Sequence, residues 1–328
     1  MNIIVTGAAG FIGSYVAEAL LARGDAVLGI DEVNEYYDPR QKEANFALLR
    51  KHSKFSFLKL DIRDAPTLTA AFIEFKPEKV IHLAARAGVR PSIEQPRLYY
   101  EVNVLGTLNV LEAMRAAHVN DLVAASSSSV YGSRNPTAGA FKEDDRVDTP
   151  ISPYAASKKA MEELCHAYHE LHDLNITLLR FFTVYGPRGR PDMALYKFLD
   201  AVHHDEPITV YGDGSTARDY TYIADITAGV LAAVDKPFPY EVINLGNDHP
   251  VRMDEVLKTI ERVAKKAPRI VREPPHPADV PYTCADLAKA KRLLNYAPKT
   301  KLADGIAALN EWLFTAERLL DSSQHKAL

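Results

Sequence analysis

The chain has 328 residues, 47% hydrophobic and 25% charged, with 39 basic against 43 acidic residues and a net charge of −4. At roughly 150 residues per domain this is one large domain or two smaller ones, and the balanced charge gives no support to a nucleic-acid or membrane-surface role resting on bulk charge. Only Cys165 and Cys284 occur, too few for a disulfide framework or a cysteine-rich metal site.

In chain order, apolar runs at 3–5, 27–30, 55–60, 80–83, 122–125 and 176–182 alternate with helical patterns, the first of them over 11–22. Near-continuous apolar strands separated by helices predict an α/β fold, a doubly wound, Rossmann-type parallel sheet covered on both faces. Beyond residue 183 the pattern loosens. Pro and Gly cluster at 185–191, 211–214 and 274–277, which reads as loops of a smaller C-terminal substrate-binding region. The expected division is a nucleotide-binding domain over 1–182 with a return segment at about 222–247, a substrate-binding region from 183–221 and 248–320, and a frayed tail over 321–328.

Two helical stretches bear on assembly. Leu105, Leu108, Val110 and Leu111 run around more than one face of a helix, and Met161, Leu164, Cys165, Tyr168 and Leu171 form a stripe at helical spacing. Packing on the sheet and a homodimer through helices near 99–117 and 153–172 both account for these patterns. Cys165 is expected in the core, and His203-His204 as a solvated helix pair rather than metal ligands. No stretch approaches the roughly 18 apolar residues of a membrane span. No export signal is read at residues 1–5, so a reducing, cytoplasmic location is expected.

The chemistry begins at Gly7-Ala8-Ala9-Gly10-Phe11-Ile12-Gly13, after the first strand and opening the first helix. Such a turn lets backbone approach a pyrophosphate seated on the positive end of the helix. Asp31 ends the second strand, where its carboxylate can accept from the adenosine ribose hydroxyls. Glu32 follows with no basic residue beside it, so NAD is expected over NADP. Tyr154 and Lys158 lie four apart near a helix start, on one face. A free phenol has a pKa near about 10, and a neighbouring ammonium together with a cationic nicotinamide would favour phenolate. The serine run 126–129 stands just past a strand, where ligands bind in parallel sheets.

Together with His82-Leu83-Ala84-Ala85, Asn103, Val130-Tyr131-Gly132 and Tyr154-Ala155-Ala156-Ser157-Lys158, these motifs resemble the extended short-chain dehydrogenase/reductases that act on nucleotide sugars. The resemblance covers about residues 1–320. It implies that Ser127 is the catalytic hydroxyl, Tyr154 the base and Lys158 its partner. It also implies that Asp61 and Ile62 meet the adenine, that Leu83, Ala84, Ala85 and Asn103 belong to the cofactor site, and that Arg218 holds the sugar-nucleotide diphosphate.

Within that family, Ala87-Gly88-Val89-Arg90, the 181–187 stretch and Gly189-Arg190-Pro191-Asp192-Met193-Ala194 are most similar to the enzymes that epimerise UDP-glucuronate at C4. In that family, UDP-glucose 4-epimerases and UDP-glucuronate decarboxylases typically carry Asn where Thr183 stands, and dehydratases and decarboxylases carry Glu where Ser129 stands. The resemblance thus implies NAD-dependent interconversion of UDP-glucuronate and UDP-galacturonate through a 4-keto sugar. Ser127, Ser128, Ser129, Thr183 and Arg190 are the candidate carboxylate pocket; Arg90, Tyr211 and Asp279 are further substrate contacts; no metal is implied. Two departures from the family pattern are Arg188, where an aromatic residue is usual, and His276, near where Gln or Arg precedes Asp279. A decarboxylase, an epimerase of neutral UDP-sugars and a dinucleotide-sensing binding protein on the same fold are the alternatives.

Overall fold

A computed structural model describes residues 1–134, 137, 139–275 and 279–324, with side chains through residue 315. The first half alternates strands β1 (Asn2–Thr6), β2 (Ala26–Asp31), β3 (Phe55–Lys59), β4 (Lys79–His82), β5 (Asp121–Ser127) and β6 (Asn175–Phe181) with helices. The helices are α1 (Phe11–Ala22), α2 (Pro39–Leu49), α3 (Ala65–Phe75), α4 (Val89–Glu94), α5 (Pro96–Tyr100), α6 (Gly106–Ala116) and α7 (Pro153–His172). Residues Glu101–Leu105 form a π turn between α5 and α6, so the helix expected over 102–114 is two segments joined at a bulge.

The second half contributes β7 (Thr183–Tyr185), α8 (Ala194–His203), β8 (Pro207–Tyr211), β9 (Ala217–Tyr222), α9 (Ile223–Asp235) and β10 (Tyr240–Leu245). It ends with β11 (Pro250–Arg252), α10 (Met253–Ala264), β12 (Arg269–Glu273), α11 (Ala288–Leu294) and α12 (Leu302–Gln324). Seven strands make one parallel sheet in the order β10-β6-β5-β4-β1-β2-β3. The doubly wound α/β architecture is therefore as expected, and the direction of winding reverses between β1 and β4. The crevice at that switch opens at the carboxyl ends of the strands.

Apolar layers cover both faces of the sheet. Val16, Leu20, Ile226 and Val230 pack on one side, and Leu68, Phe72, Leu111 and Met114 on the other. A third core, around Leu199, Val210, Ile260 and Leu309, joins α8, β8, α10 and α12. Three helices start on side-chain caps: Asp38 accepts from Arg40 N–H, Asp64 from Thr67 N–H and Ser152 from Ala155 N–H, each with a proline in the first turn. Helix α1 has no side-chain cap.

Three expectations need correction. The tail is not frayed from 321, because α12 runs to Gln324, while 325–328 lie outside the described residues. His203 is not solvated: its Nε2 meets Asn310 Oδ1 at 3.0 Å and its ring packs edge-on against Phe314. The multi-faced burial around 102–114 stops at Leu105, which is 52% exposed, and the α7 stripe stops at Leu171, which is 73% exposed. Cys165, in contrast, is fully buried.

Strands β5 and β6 are tied to α7 by a buried ion pair. Arg180 donates from Nε and Nη2 to the two oxygens of Glu162, both at 2.8 Å, and Ser126 Oγ donates to the same carboxylate at 2.6 Å. Both charged side chains are 3% exposed. Removing one partner strands the other charge in a low-dielectric interior, at about 3–5 kcal/mol. Glu162→Ala should therefore lower the urea midpoint sharply, and an unchanged midpoint would show that the pair holds nothing in place.

Candidate active site

The β1–α1 turn is built by close approach. Gly7 adopts φ +73°, and a Cβ there would stand 2.7 Å from Ala84 N; a Cβ on Gly13 would stand 2.0 Å from Gly7 O. The turn therefore tolerates no side chain at either position and lies flush against the end of β4. Because α1 lacks a cap, its first-turn N–H groups face a cleft of about 420 Å3 bordered by Gly7, Gly10, Phe11, Ile12 and Gly13. Uncapped N–H groups at a helix N-terminus fit a pyrophosphate.

Asp31 borders the same cleft. Its carboxylate accepts from Ala9 N–H (3.0 Å) and Val33 N–H (2.8 Å), and burial pushes its pKa up against those bonds. Asp61, Ile62, Leu83, Ala84 and Ala85 lie on the same wall. The donor and acceptor set fits a dinucleotide. Asn103 does not reach the cleft: its amide is spent on Arg86 N–H, Arg86 O and Ser157 Oγ. It holds the loop after β4 instead of a ligand.

The residues expected to carry proton transfer converge on the cleft floor. Lys158 is buried and donates to Ala125 O, at 2.7 Å, near the carboxyl end of β5. Ser127 stands two residues on, donating to Ser129 Oγ and accepting from Ser129 N–H, each at 3.1 Å. Tyr154, in the first turn of α7, is held edge-on by the Tyr99 ring. Burial pushes the Tyr154 pKa up; the Ser127 hydroxyl and the Arg190 guanidinium act against it. The downward pull was expected from Lys158, but that ammonium points at Ala125 O. Burial in turn holds Lys158 down at about 8.

On the opposite wall, Ser128, Ser129, Thr183 and Arg190 border the cleft. Arg190 already has a carboxylate: its Nε and Nη2 donate to Asp192 at 2.9 and 2.5 Å. One edge of the guanidinium is thus occupied, which fixes the direction in which the other edge points. Arg90, Tyr211 and Asp279 are not cleft-lining. They gather beside it, with Arg90 bonded to Asp279 at 2.9 Å and lying 4.3 Å over the Tyr211 ring. Burial pushes Arg218 below its ordinary value, with Tyr220 and Asp279 opposing.

Arg188 turns away from the cleft. It stacks 3.6 Å from the Tyr15 ring centroid and bonds Glu18, so it clamps the 186–190 loop to α1. His276 lies outside the described residues.

Cleft residues that sequence reading misses include Tyr36, Tyr37, Lys42 and Arg86. The adjacent tyrosines in a polar loop after Asp31 were a readable signal; Tyr36 donates to Ala87 O at 2.7 Å, and a Cβ on Gly88 would stand 2.7 Å from its hydroxyl. The expectation of no basic residue beside Glu32 is corrected, since Arg86 Nη2 stands 3.6 Å from Glu32 Oε1 and Lys42 acts on both Asp31 and Glu32. No spacing rule brings residue 86 to residue 32.

Residues 3–246 match the NAD dependent epimerase/dehydratase family. The chain is 46% identical over 311 residues to the UDP-glucuronate 4-epimerase of Thermodesulfobacterium geofontis strain OPF15, covering 94% of this chain and 95% of that protein. The crystal structure of UDP-glucuronic acid 4-epimerase from Bacillus cereus in complex with UDP-glucuronic acid and NAD superposes with a TM-score of 0.91 at 36% identity, covering 96% and 100% of the two chains. UDP-glucose 4-epimerase from Thermotoga maritima, with UDP-glucose, gives 0.89 at 29% identity over 97% and 100%.

The buried ammonium makes stability depend on pH. Below pH 8 the folded and unfolded chains both carry the Lys158 charge, and the fold bears its desolvation. Between the folded value of about 8 and the ordinary 10.5, the unfolded chain binds the extra proton, so stability rises with pH. Relative to Lys158→Met, the dinucleotide-free wild type should gain about 1.5 kcal/mol from pH 8 to about 9.5 in urea melts. A difference that does not change with pH would contradict a depressed Lys158.

Proposed function

The chain belongs to the NAD dependent epimerase/dehydratase family, and from that premise we infer that it interconverts UDP-glucuronate and UDP-galacturonate by epimerisation at C4, with NAD bound and regenerated in each cycle. The observation that carries the choice of an anionic sugar is Arg190, a guanidinium on the cleft wall close enough to act on the Tyr154 phenol. One edge of that guanidinium is paired with Asp192; the donors of the other edge would meet a weaker acceptor in a neutral hydroxymethyl than in a carboxylate, which makes a charge-assisted bond.

Tyr154 takes the proton of the sugar 4-hydroxyl and later returns it. Ser127 donates to the oxygen that becomes the 4-keto oxygen, and the Arg190 charge favours phenolate as the proton leaves. NAD held by the β1–α1 turn and Asp31 would supply a hydride acceptor and donor for C4 and a positive charge favouring phenolate at Tyr154. Lys158 keeps spare donors for ribose hydroxyls. A 4-keto uronate is a β-keto acid and loses carbon dioxide readily. Arg190, Thr183 and the serines at 127–129 hold the carboxylate in a charge-assisted network away from that geometry. Ser129 offers no base near C5, which supports epimerisation over decarboxylation. The Arg90, Tyr211, Arg218 and Asp279 group supplies cationic and aromatic contacts for the uridine diphosphate.

A homodimer is the assembly we favour. Tyr100 and Leu105, 43% and 52% exposed beside α6, and Leu171 on α7 leave apolar surface at the two helices that would pair. The free, buried Cys165 and Cys284 suit the cytoplasm.

Purified protein incubated with UDP-glucuronate and no added dinucleotide should yield UDP-galacturonate, followed by NMR, without carbon dioxide. A UDP-pentose product would make it a decarboxylase. Turnover of UDP-glucose alone would make it a neutral-sugar epimerase. Bound dinucleotide with no turnover would make it a binding protein.

A further inference from the structure

The adenosine end of the cleft carries more charge than a site for an uncharged ribose 2′-hydroxyl requires. Asp31 and Glu32 stand against Lys42 and Arg86, two acids and two bases. Asp31 is immobile, with its oxygens held by Ala9 and Val33 N–H. Lys42 is buried and anchored by its Nζ to Asn34 O (2.9 Å) and Asn34 Oδ1 (2.8 Å). Arg86 is different. Its backbone is clamped on both sides by Asn103, but its side chain is loosely engaged. The Nη2 group reaches Glu32 Oε1 only at 3.6 Å, and the buried Nε has no hydrogen-bond partner. It borders the cleft with its guanidinium 5.7 Å from the Tyr36 ring centroid.

A guanidinium in the cleft with an unsatisfied N–H is a phosphate ligand in waiting, because planar donors match phosphate oxygens. In dinucleotide sites of this fold an arginine near the ribose accommodates the 2′-phosphate. We propose that Glu32 and Arg86 together decide which dinucleotide the cleft admits, with Arg86 a latent 2′-phosphate ligand that Glu32 neutralises. Asp31 alone does not set the preference: with Glu32 present, Arg86 faces a carboxylate and Asp61 borders the same cleft, so a phosphate dianion finds no net attraction. Without Glu32 the site loses one negative charge, and Arg86 is free to donate to the phosphate. NAD, which brings no charge to this position, is held by Asp31 in both cases. The inference rests on the reading of this cleft as a dinucleotide site.

The test uses the full chain equilibrated with equimolar NAD and NADP and passed through a gel-filtration column; the retained dinucleotides are quantified, so the readout is binding and not turnover. Wild type should retain NAD in large excess. Glu32→Gln should shift the ratio toward NADP by about tenfold or more, and the double variant Glu32→Gln/Arg86→Gln should restore a wild-type ratio. Arg86→Gln alone should retain still less NADP than wild type. An unchanged ratio in Glu32→Gln, or a shift that survives loss of Arg86, overturns the proposal while leaving the NAD site intact. Retention of neither dinucleotide by wild type overturns the reading of the cleft and the proposal with it.

Discussion

The burial of one ammonium group sets the geometry of the active site. Lys158 lies inside the protein with its Nζ on the carbonyl of Ala125, and this bond, with that from Ser126 to Glu162, ties α7 to the carboxyl end of β5. Tyr154 then falls one helical turn nearer the cleft and Ser127 two residues further along the strand. Placing a lysine there has a cost, visible in its depressed pKa of about 8; Glu162 on the same helix opposes it. Glu162 is itself neutralised by Arg180 from β6 and bonded by Ser126 from β5. The catalytic floor is the upper surface of a buried polar network that joins two strands and a helix, and such a network, fully bonded, resists displacement.

The charges around the cleft follow the chemistry expected of the ligand from end to end. At one end, Asp31 and Glu32 face Lys42 and Arg86. Next, the uncapped N–H groups of the first turn of α1 border the cleft. The floor carries the Tyr154 phenol, whose pKa burial pushes up against the Ser127 hydroxyl and the Arg190 charge. Beyond it, Arg190 shares its charge with Asp192, and beside the cleft Arg90 pairs with Asp279. This division of labour lets one family of folds serve many nucleotide sugars: the dinucleotide half is fixed by backbone, and the sugar half by a few side chains on loops.

The legible parts of this protein were those encoded over short spans. Strand, glycine turn and helix lie within residues 2–22, and Tyr154 and Lys158 are one turn apart, so spacing alone carries them. The role of Asn103 was not legible, because its partners at 86 and 157 are decided by tertiary packing. The same holds for Arg86 beside Glu32, and for the bond from Arg90 to Asp279 across 189 positions. The source of the pull on Tyr154 was misjudged for a related reason. Helical spacing puts Lys158 on the right face, but only packing decides that its ammonium points down to Ala125 and not up to the phenol. Arg188 departs from the family pattern without consequence for the cleft, since Tyr15 and Glu18 draw it onto α1.

The proposed reaction turns on the Tyr154 hydroxyl as the group that moves the C4-hydroxyl proton. Tyr154→Phe tests it most directly, because the ring and its contact with Tyr99 remain while the acid–base group is lost. Its kcat should fall about 10²–10⁴-fold, with UDP-glucuronate affinity, measured by calorimetry on the NAD-loaded protein, held near the wild-type value. Near-normal turnover in this variant would contradict it.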